Sequence, residues 1–225
     1  MKYSLLAVTL SLIALFAYQD AVESLAAQTA KSALVFKGIE NVPVGSPTRL
    51  IVDTLTRVEA LVSQGLARVK TQNQVKEMVR AMFDYSTLSQ DALSFIWARV
   101  DAKERMRFQI AFRALIEANY IAKAKSYVGD QHQIRFAAET IDKKTAKVSC
   151  FVAQKEVDIQ INYLLKKVGN TWKVTDIVLD EASLVASYRS QFSQFLSSNQ
   201  NSLEQLIAKI ESMSQKIEKE NQKKI

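Results

Sequence analysis

The chain has 225 residues, 48% hydrophobic and 24% charged, which is the balance of a folded globular protein rather than a disordered one. Five glycines and two prolines supply too few turns for a sandwich, a propeller or a collagen-like chain, and one cysteine with one histidine excludes an intramolecular disulfide and a metal cluster. The net charge of +7 is compatible with nucleic acid, an anionic membrane or an acidic partner; its cations are interleaved with acids, and with no groove-reading or base-stacking motif no nucleic-acid partner is expected.

Residues 1–26 read as an export signal. Lys2 gives a positive start, Tyr3 to Tyr18 is almost wholly apolar, and Ser24-Leu25-Ala26 is a small-x-small cleavage pattern. A retained membrane anchor is the alternative, because the run is near the lower length of a span. No cysteine stands at the cleavage point, so a periplasmic protein without a lipid anchor is expected, a compartment in which a lone Cys150 finds no partner within the chain.

Residues 27–47 hold both prolines and are expected to form an irregular arm. A helical part follows over about 48–128. Leu50, Ile51, Leu55, Val58, Leu61, Val62 and Leu66 recur at helical spacing, and Val75, Met78, Val79 and Met82 share a face. A short helix is expected around 87–98. Asp101 with Glu104 forms a capping box that opens a long helix carrying Phe108, Phe112, Leu115 and Ile116 to about Tyr127, with Gly129 ending it.

The period then changes to two, over about 131–180. Ile134, Phe136 and Ala138 alternate with Gln133, Arg135 and Ala137, and Val148, Cys150 and Val152 form a second alternating set. Val157, Ile159, Ile161, Tyr163 and Leu165 make the cleanest set, and Gly169-Asn170 turns the chain into Trp172 and Val174. Four strands close in sequence predict an antiparallel meander. Closing helices over 182–213 carry Leu184, Val185, Tyr188, Phe192 and Phe195, then Leu203, Leu206, Ile207 and Ile210. Residues 214–225, with Lys216, Lys219, Lys223 and Lys224 beside Glu218 and Glu220, form a charged tail. The fold class is α+β: a curved four-stranded antiparallel sheet covered by helices, with an N-terminal helical subdomain. A sheet loosely covered at one end leaves an apolar cavity.

Nucleotide-loop, nucleophile-elbow and zinc-protease motifs are missing from the sequence. Cys150 falls on the apolar face of its strand and reads as a small buried hydrophobe. His132 reads as a turn residue, and Asp158 falls on the polar face. Asp176 breaks the alternation after Val174, which fits a bulge or a hydrogen-bonded buried carboxylate better than a catalyst.

The order and spacing of several segments resemble the MlaC family, also called the toluene-tolerance auxiliary family. Met82-Phe83-Asp84-Tyr85 precedes Leu88-Ser89 and Leu93-Ser94-Phe95-Ile96-Trp97; Phe108, Phe112 and Tyr120 follow. Gly169-Asn170-Thr171-Trp172-Lys173-Val174-Thr175-Asp176 leads to Ala182-Ser183-Leu184-Val185 and Tyr188-Arg189-Ser190-Gln191-Phe192. The likeness runs from about Val75 to the C-terminus. Ser94 and Ala182 stand where the family pattern has glycine.

The resemblance implies an NTF2-like cone and a periplasmic carrier that holds phospholipid acyl chains between sheet and helices. It implies shuttling between an outer-membrane lipoprotein complex and an inner-membrane ABC lipid transporter with an MCE-type subunit, with no enzymatic activity and no cofactor. By parity, Phe136, Val148, Val152, Val157, Ile159, Ile161, Tyr163, Trp172 and Val174 would form the sheet wall. Trp97, Phe108, Phe112, Tyr188 and Phe192 would line the helical side, with Arg189 at a headgroup or in a structural ion pair. The alternatives are a small isomerase or hydrolase on the same cone, using Asp176 or His132, and an adaptor docking through the basic C-terminus.

Overall fold

The computed structural model describes residues 35–62, 69–126, 133–153, 158–198 and 201–223. A short strand, β1 (Val35–Lys37), comes first, then helices α1 (Pro47–Val62), α2 (Val69–Met82) and α3 (Tyr85–Leu93). A 3-10 segment, Ser94–Arg99, leads into the long helix α4 (Ala102–Ser126). Strands β2 (Gln133–Asp142), β3 (Thr145–Val152), β4 (Ile159–Val168), β5 (Thr171–Leu179) and β6 (Ala182–Ser183) follow, and helices α5 (Leu184–Ser197) and α6 (Leu203–Lys223) close the chain.

The fold is α+β, but the sheet has six strands rather than four, in the order β1-β2-β3-β4-β5-β6. The central meander, β2 to β5, is antiparallel as the alternation predicts. The two added strands are three and two residues long, too short to display a period. β1 pairs in parallel with β2, so the arm expected to be irregular extends the sheet. β6 pairs with the end of β5 just before α5 begins.

Local chemistry sets the helix ends. Asp101 and Glu104 form the expected capping box: the Glu104 N–H donates to Asp101 Oδ1 (2.8 Å) and the Asp101 N–H to Glu104 Oε2 (3.1 Å). Asp84 accepts from the Thr87 N–H at the start of α3, and Ser183 from the Ala186 N–H at the start of α5. The helix expected over 87–98 is split, because Ser94 turns the chain with φ 53° and ψ −127°. The boundary drawn at 213 lies within α6, where Ser214 and Asn221 are buried and Asn221 Nδ2 donates to the Ala118 carbonyl on α4 (3.0 Å). The charged tail is thus docked along α4 as far as Asn221.

One contiguous core joins the sheet face to the helices. At one end of the sheet the Thr48 N–H of α1 donates to Glu139 of β2 (2.7 Å). On β5, the Asp84 N–H donates to the Val174 carbonyl (2.8 Å) and Lys173 Nζ to the Ala81 carbonyl. The junction of α2 and α3 therefore closes the β5 edge.

Candidate functional site

The apolar face of the sheet is read from its register. Cys150 opposes Ile161, Val148 opposes Tyr163 and Ala146 opposes Leu165 across β3 and β4. Tyr163 opposes Ile177 and Ile161 opposes Leu179 across β4 and β5. Directly opposed residues point to the same side, so these side chains make one wall. Phe136 continues it on β2 opposite Cys150.

Burial is graded along that wall. Ala146, Val148, Leu165, Trp172 and Val174, at the end beneath α1 and α2, are 0–8% exposed. Val152, Ile159, Ile161, Ile177 and Leu179, at the other end, are only half-buried. A partly exposed apolar end of a core is the kind of surface at which an apolar ligand can enter, although Ile134 and Cys150, opposite Val152 and Ile161 at that end, are buried. Tyr120 of α4 has the same mixed character. Burial pushes its hydroxyl up to about 12, yet part of its surface stays accessible.

The helical side is an aromatic cluster. The Phe112 ring meets Phe108 at 5.6 Å, Tyr188 at 4.9 Å and Phe192 at 5.4 Å between centroids, the last two edge-on. All four rings are at least nine-tenths buried. Asn119 Nδ2 donates to the Tyr188 oxygen at 3.3 Å, and burial pushes the Tyr188 hydroxyl up to about 12. Each edge-to-face pair adds about 1 kcal/mol to the area buried.

The expected wall residues Phe136, Val148, Val152, Ile159, Ile161, Tyr163, Trp172 and Val174 share the sheet face. Val157 lies outside the described residues, as does His132. Trp97 is not in the aromatic cluster: it sits half-buried on the 3-10 segment with the Arg105 guanidinium 5.4 Å from its ring centroid. Arg189 donates through Nε to the Asp91 carbonyl (2.7 Å), a cation at the C-terminal end of α3. Cys150 is buried, and burial pushes its thiol up to about 12, so it is a protonated core residue.

Ile177 and Leu179 were not legible as wall residues. Leu164 opposes Asp176 while Leu165 opposes Val174, so Thr175 is a bulged extra residue that reverses parity beyond it. The bulge turns Asp176 away from the wall. Its Oδ1 accepts from the N–H groups of Ile177 (2.8 Å) and Val185 (3.0 Å), and its Oδ2 from the Ser183 hydroxyl (2.6 Å). Asp176 is the hydrogen-bonded carboxylate expected from the break in alternation, and it joins β5 to α5.

Among the described residues an open groove of about 750 Å³ also runs beside α2, lined by Val69, Lys70, Asn73, Gln74, Met78 and Ala81 with Glu77. It lies outside the sheet wall. No group of His, Cys, Asp and Glu that could hold a metal occurs among the described residues.

The family model described as MlaC protein matches residues 51–212. No curated protein matches the chain in sequence. Among solved structures, the phospholipid-binding protein from Ralstonia solanacearum, determined in complex with a phospholipid, has a TM-score of 0.63 at 17% identity. The alignment covers 76% of this chain and 95% of that one.

Proposed function

The chain belongs to the MlaC family, and from that premise we propose that it is a non-enzymatic phospholipid carrier. The observation that carries this reading is the graded sheet wall, sealed at Trp172 and Val174 and half-open at Ile159, Ile161 and Leu179. The phospholipid bound to the structurally similar Ralstonia protein supports it.

The energetics give such a carrier its purpose. A diacyl lipid exposes about 30 methylenes, each costing about 0.8 kcal/mol in water, so free desorption is uphill by roughly 20 kcal/mol. An apolar wall that replaces the acyl environment removes most of that cost without covalent chemistry. In this proposal the sheet is an NTF2-like cone, acyl chains enter between it and the helices, and the headgroup stays at the mouth. The protein works in the periplasm after loss of residues 1–26. It exchanges lipid with an outer-membrane lipoprotein complex and with an inner-membrane ABC transporter through an MCE-type subunit.

The test is mass spectrometry of an organic extract of protein purified without detergent. Stoichiometric phospholipid in the wild type, lost in a folded Ile161→Glu variant, is the expected result. A folded, lipid-free protein that also takes no labelled lipid from donor vesicles would sink the carrier reading.

A further inference from the structure

Two β-hairpins end side by side at the sealed end of the sheet. Lys143 and Lys144 make the turn from β2 to β3, and Gly169 and Asn170 the turn from β4 to β5. The Lys167 N–H donates to the Lys144 carbonyl (2.7 Å), which fastens the first turn to the end of β4. Lys147 stands between the wall residues Ala146 and Val148, and Lys166 follows Leu165, so both point to the face away from the helices. Lys147 opposes Leu164 and Thr145 opposes Lys166, which makes the two lysines diagonal neighbours on that face. Val168, two residues past Lys166, shares the face and is 45% exposed. Lys143, Lys144, Lys147 and Lys166 are all exposed.

Charge is not balanced here. Over residues 138–147 and 162–176, six lysines stand against the three carboxylates Glu139, Asp142 and Asp176. Glu139 faces α1 and accepts from the Thr48 N–H, and Asp176 is held by its three hydrogen bonds. With every one of those charges kept, the excess is three positive charges. None of the six lysines forms an ion pair among the described residues. Two features of this end also cost stability. Lys166 lies directly opposite Lys173, a like-charge pair from which Lys173 turns off to the Ala81 carbonyl. Lys143 holds φ 52°, a conformation that suits glycine. Costs of this kind collect where function rather than folding sets the residue.

We propose that this end of the sheet, with Lys143, Lys144, Lys147 and Lys166 around Val168, docks the protein on an anionic lipid bilayer. The kind of cation selects that occupant. Interfaces between proteins are depleted of lysine and centred on aromatic side chains; here lysine dominates, and the aromatic residue of the β4–β5 tip, Trp172, is buried on the other face. A surface of many phosphates accepts mobile ammonium groups in no fixed geometry, and each lysine held near it adds about fivefold to binding. Val168 stands clear of the core and meets the headgroup layer between them. The half-open end of the wall, at Ile159 and Leu179, lies at the other ends of β4 and β5, about 30 Å from the turns. Docking through the turns therefore leaves that end facing away from the bilayer. The proposal goes beyond the carrier reading and does not depend on whether lipid is bound.

The full chain, expressed in a bacterial host and taken from the soluble fraction, is cosedimented with vesicles. One set is phosphatidylglycerol mixed with phosphatidylethanolamine, the other phosphatidylcholine alone. Salt-sensitive preference for the anionic set is expected, weakened about twentyfold by Lys144→Gln with Lys166→Gln. Lys216→Gln with Lys219→Gln removes the same charge from exposed positions on α6 and should leave that preference in place. Lys143→Gly should weaken binding about fivefold while raising the urea midpoint, a pair of changes that a purely structural lysine does not give. Lipid in the organic extract should be unchanged in all three variants, which separates this proposal from the carrier reading. Equal binding to both vesicle sets, or equal losses from the two double variants, overturns the proposal. Unchanged vesicle binding in the Lys144→Gln, Lys166→Gln variant also overturns it, and a loss of lipid transfer to a protein acceptor in that same variant assigns the surface to a protein partner instead.

Discussion

Ser94 holds a backbone conformation, φ 53° and ψ −127°, that glycine adopts without strain and a residue with a Cβ does not. Ser94→Gly is therefore expected to stabilise the fold by about 1 kcal/mol, read as a higher urea midpoint with an unchanged slope. Ala182, the other departure from the family's glycine pattern, has no such backbone; the positive φ values fall on Asp180 (42°) and Glu181 (75°), which make the turn before it. Gly38 is constrained by space as well as by its φ of 76°. A Cβ there would fall inside contact distance of the Phe136 carbonyl oxygen. At this scale the sequence was most legible where side chains act locally. The Asp101–Glu104 capping box and the Gly169-Asn170 turn depend on neighbours in the chain, and both form as read. The role of Arg189 depends on α3, which lies 98 residues away in sequence at Asp91, and no local pattern signals that pairing.

Among elements, buried polar contacts fix how helices meet the sheet and one another. Asp176 accepts three hydrogen bonds, two from β5 and α5 backbone and one from Ser183. Asp176→Ala leaves those donors unpaired and should cost about 2 kcal/mol in chemical denaturation. Arg80 on α2 meets the Glu117 carboxylate of α4 with two hydrogen bonds of 2.9 Å, and the Glu117 side chain is 5% exposed. Arg80→Ala removes that partner from a buried charge and should cost about 2 kcal/mol, less than a fully buried pair because Arg113 stays 3.7 Å away. Phe112→Ala opens a void beside three rings and should cost about 4 kcal/mol. On β3, β4 and β5 the sheet face was legible up to Val174, because alternation reports burial directly; on β2 a bulge after Phe136 pairs Ala138 with Ser149, so Ala138 lies on the opposite face from the one its alternation implies. Beyond Thr175 the bulge reverses it, so Ile177 and Leu179 read as the wrong face. A bulge is fixed by pairing with β4, which a single strand's sequence does not display.

The molecule as a whole is sensitive to alkali rather than acid through its buried hydroxyls and thiol. Burial raises Tyr120 and Tyr188 from 10.0, and Cys150 from 9.0, to about 12. Tyr85 is raised further by burial and by the Glu117 charge. Each group keeps its proton in the folded state at a pH where the unfolded chain has released it. Their stabilising contribution is complete below about pH 9 and declines as pH rises toward 12. Urea midpoints should fall between pH 8.5 and about 11, and the Cys150 thiol should react with an alkylating reagent only on unfolding.

Strand order also has a kinetic consequence. From β2 to β6 each strand pairs with its neighbour in the chain, so those pairings close short loops. β1 is different: Val35 pairs with Gln133, and the pairing spans nearly the whole helical part of the chain. Closing a loop of that length carries an entropy cost, and the three residues of β1 return few contacts against it. β1 should therefore form a separate opening unit. Amide hydrogens of Val35 to Lys37 are expected to exchange at a rate set by local release, well ahead of those of β3 and β4, which open only when the domain unfolds.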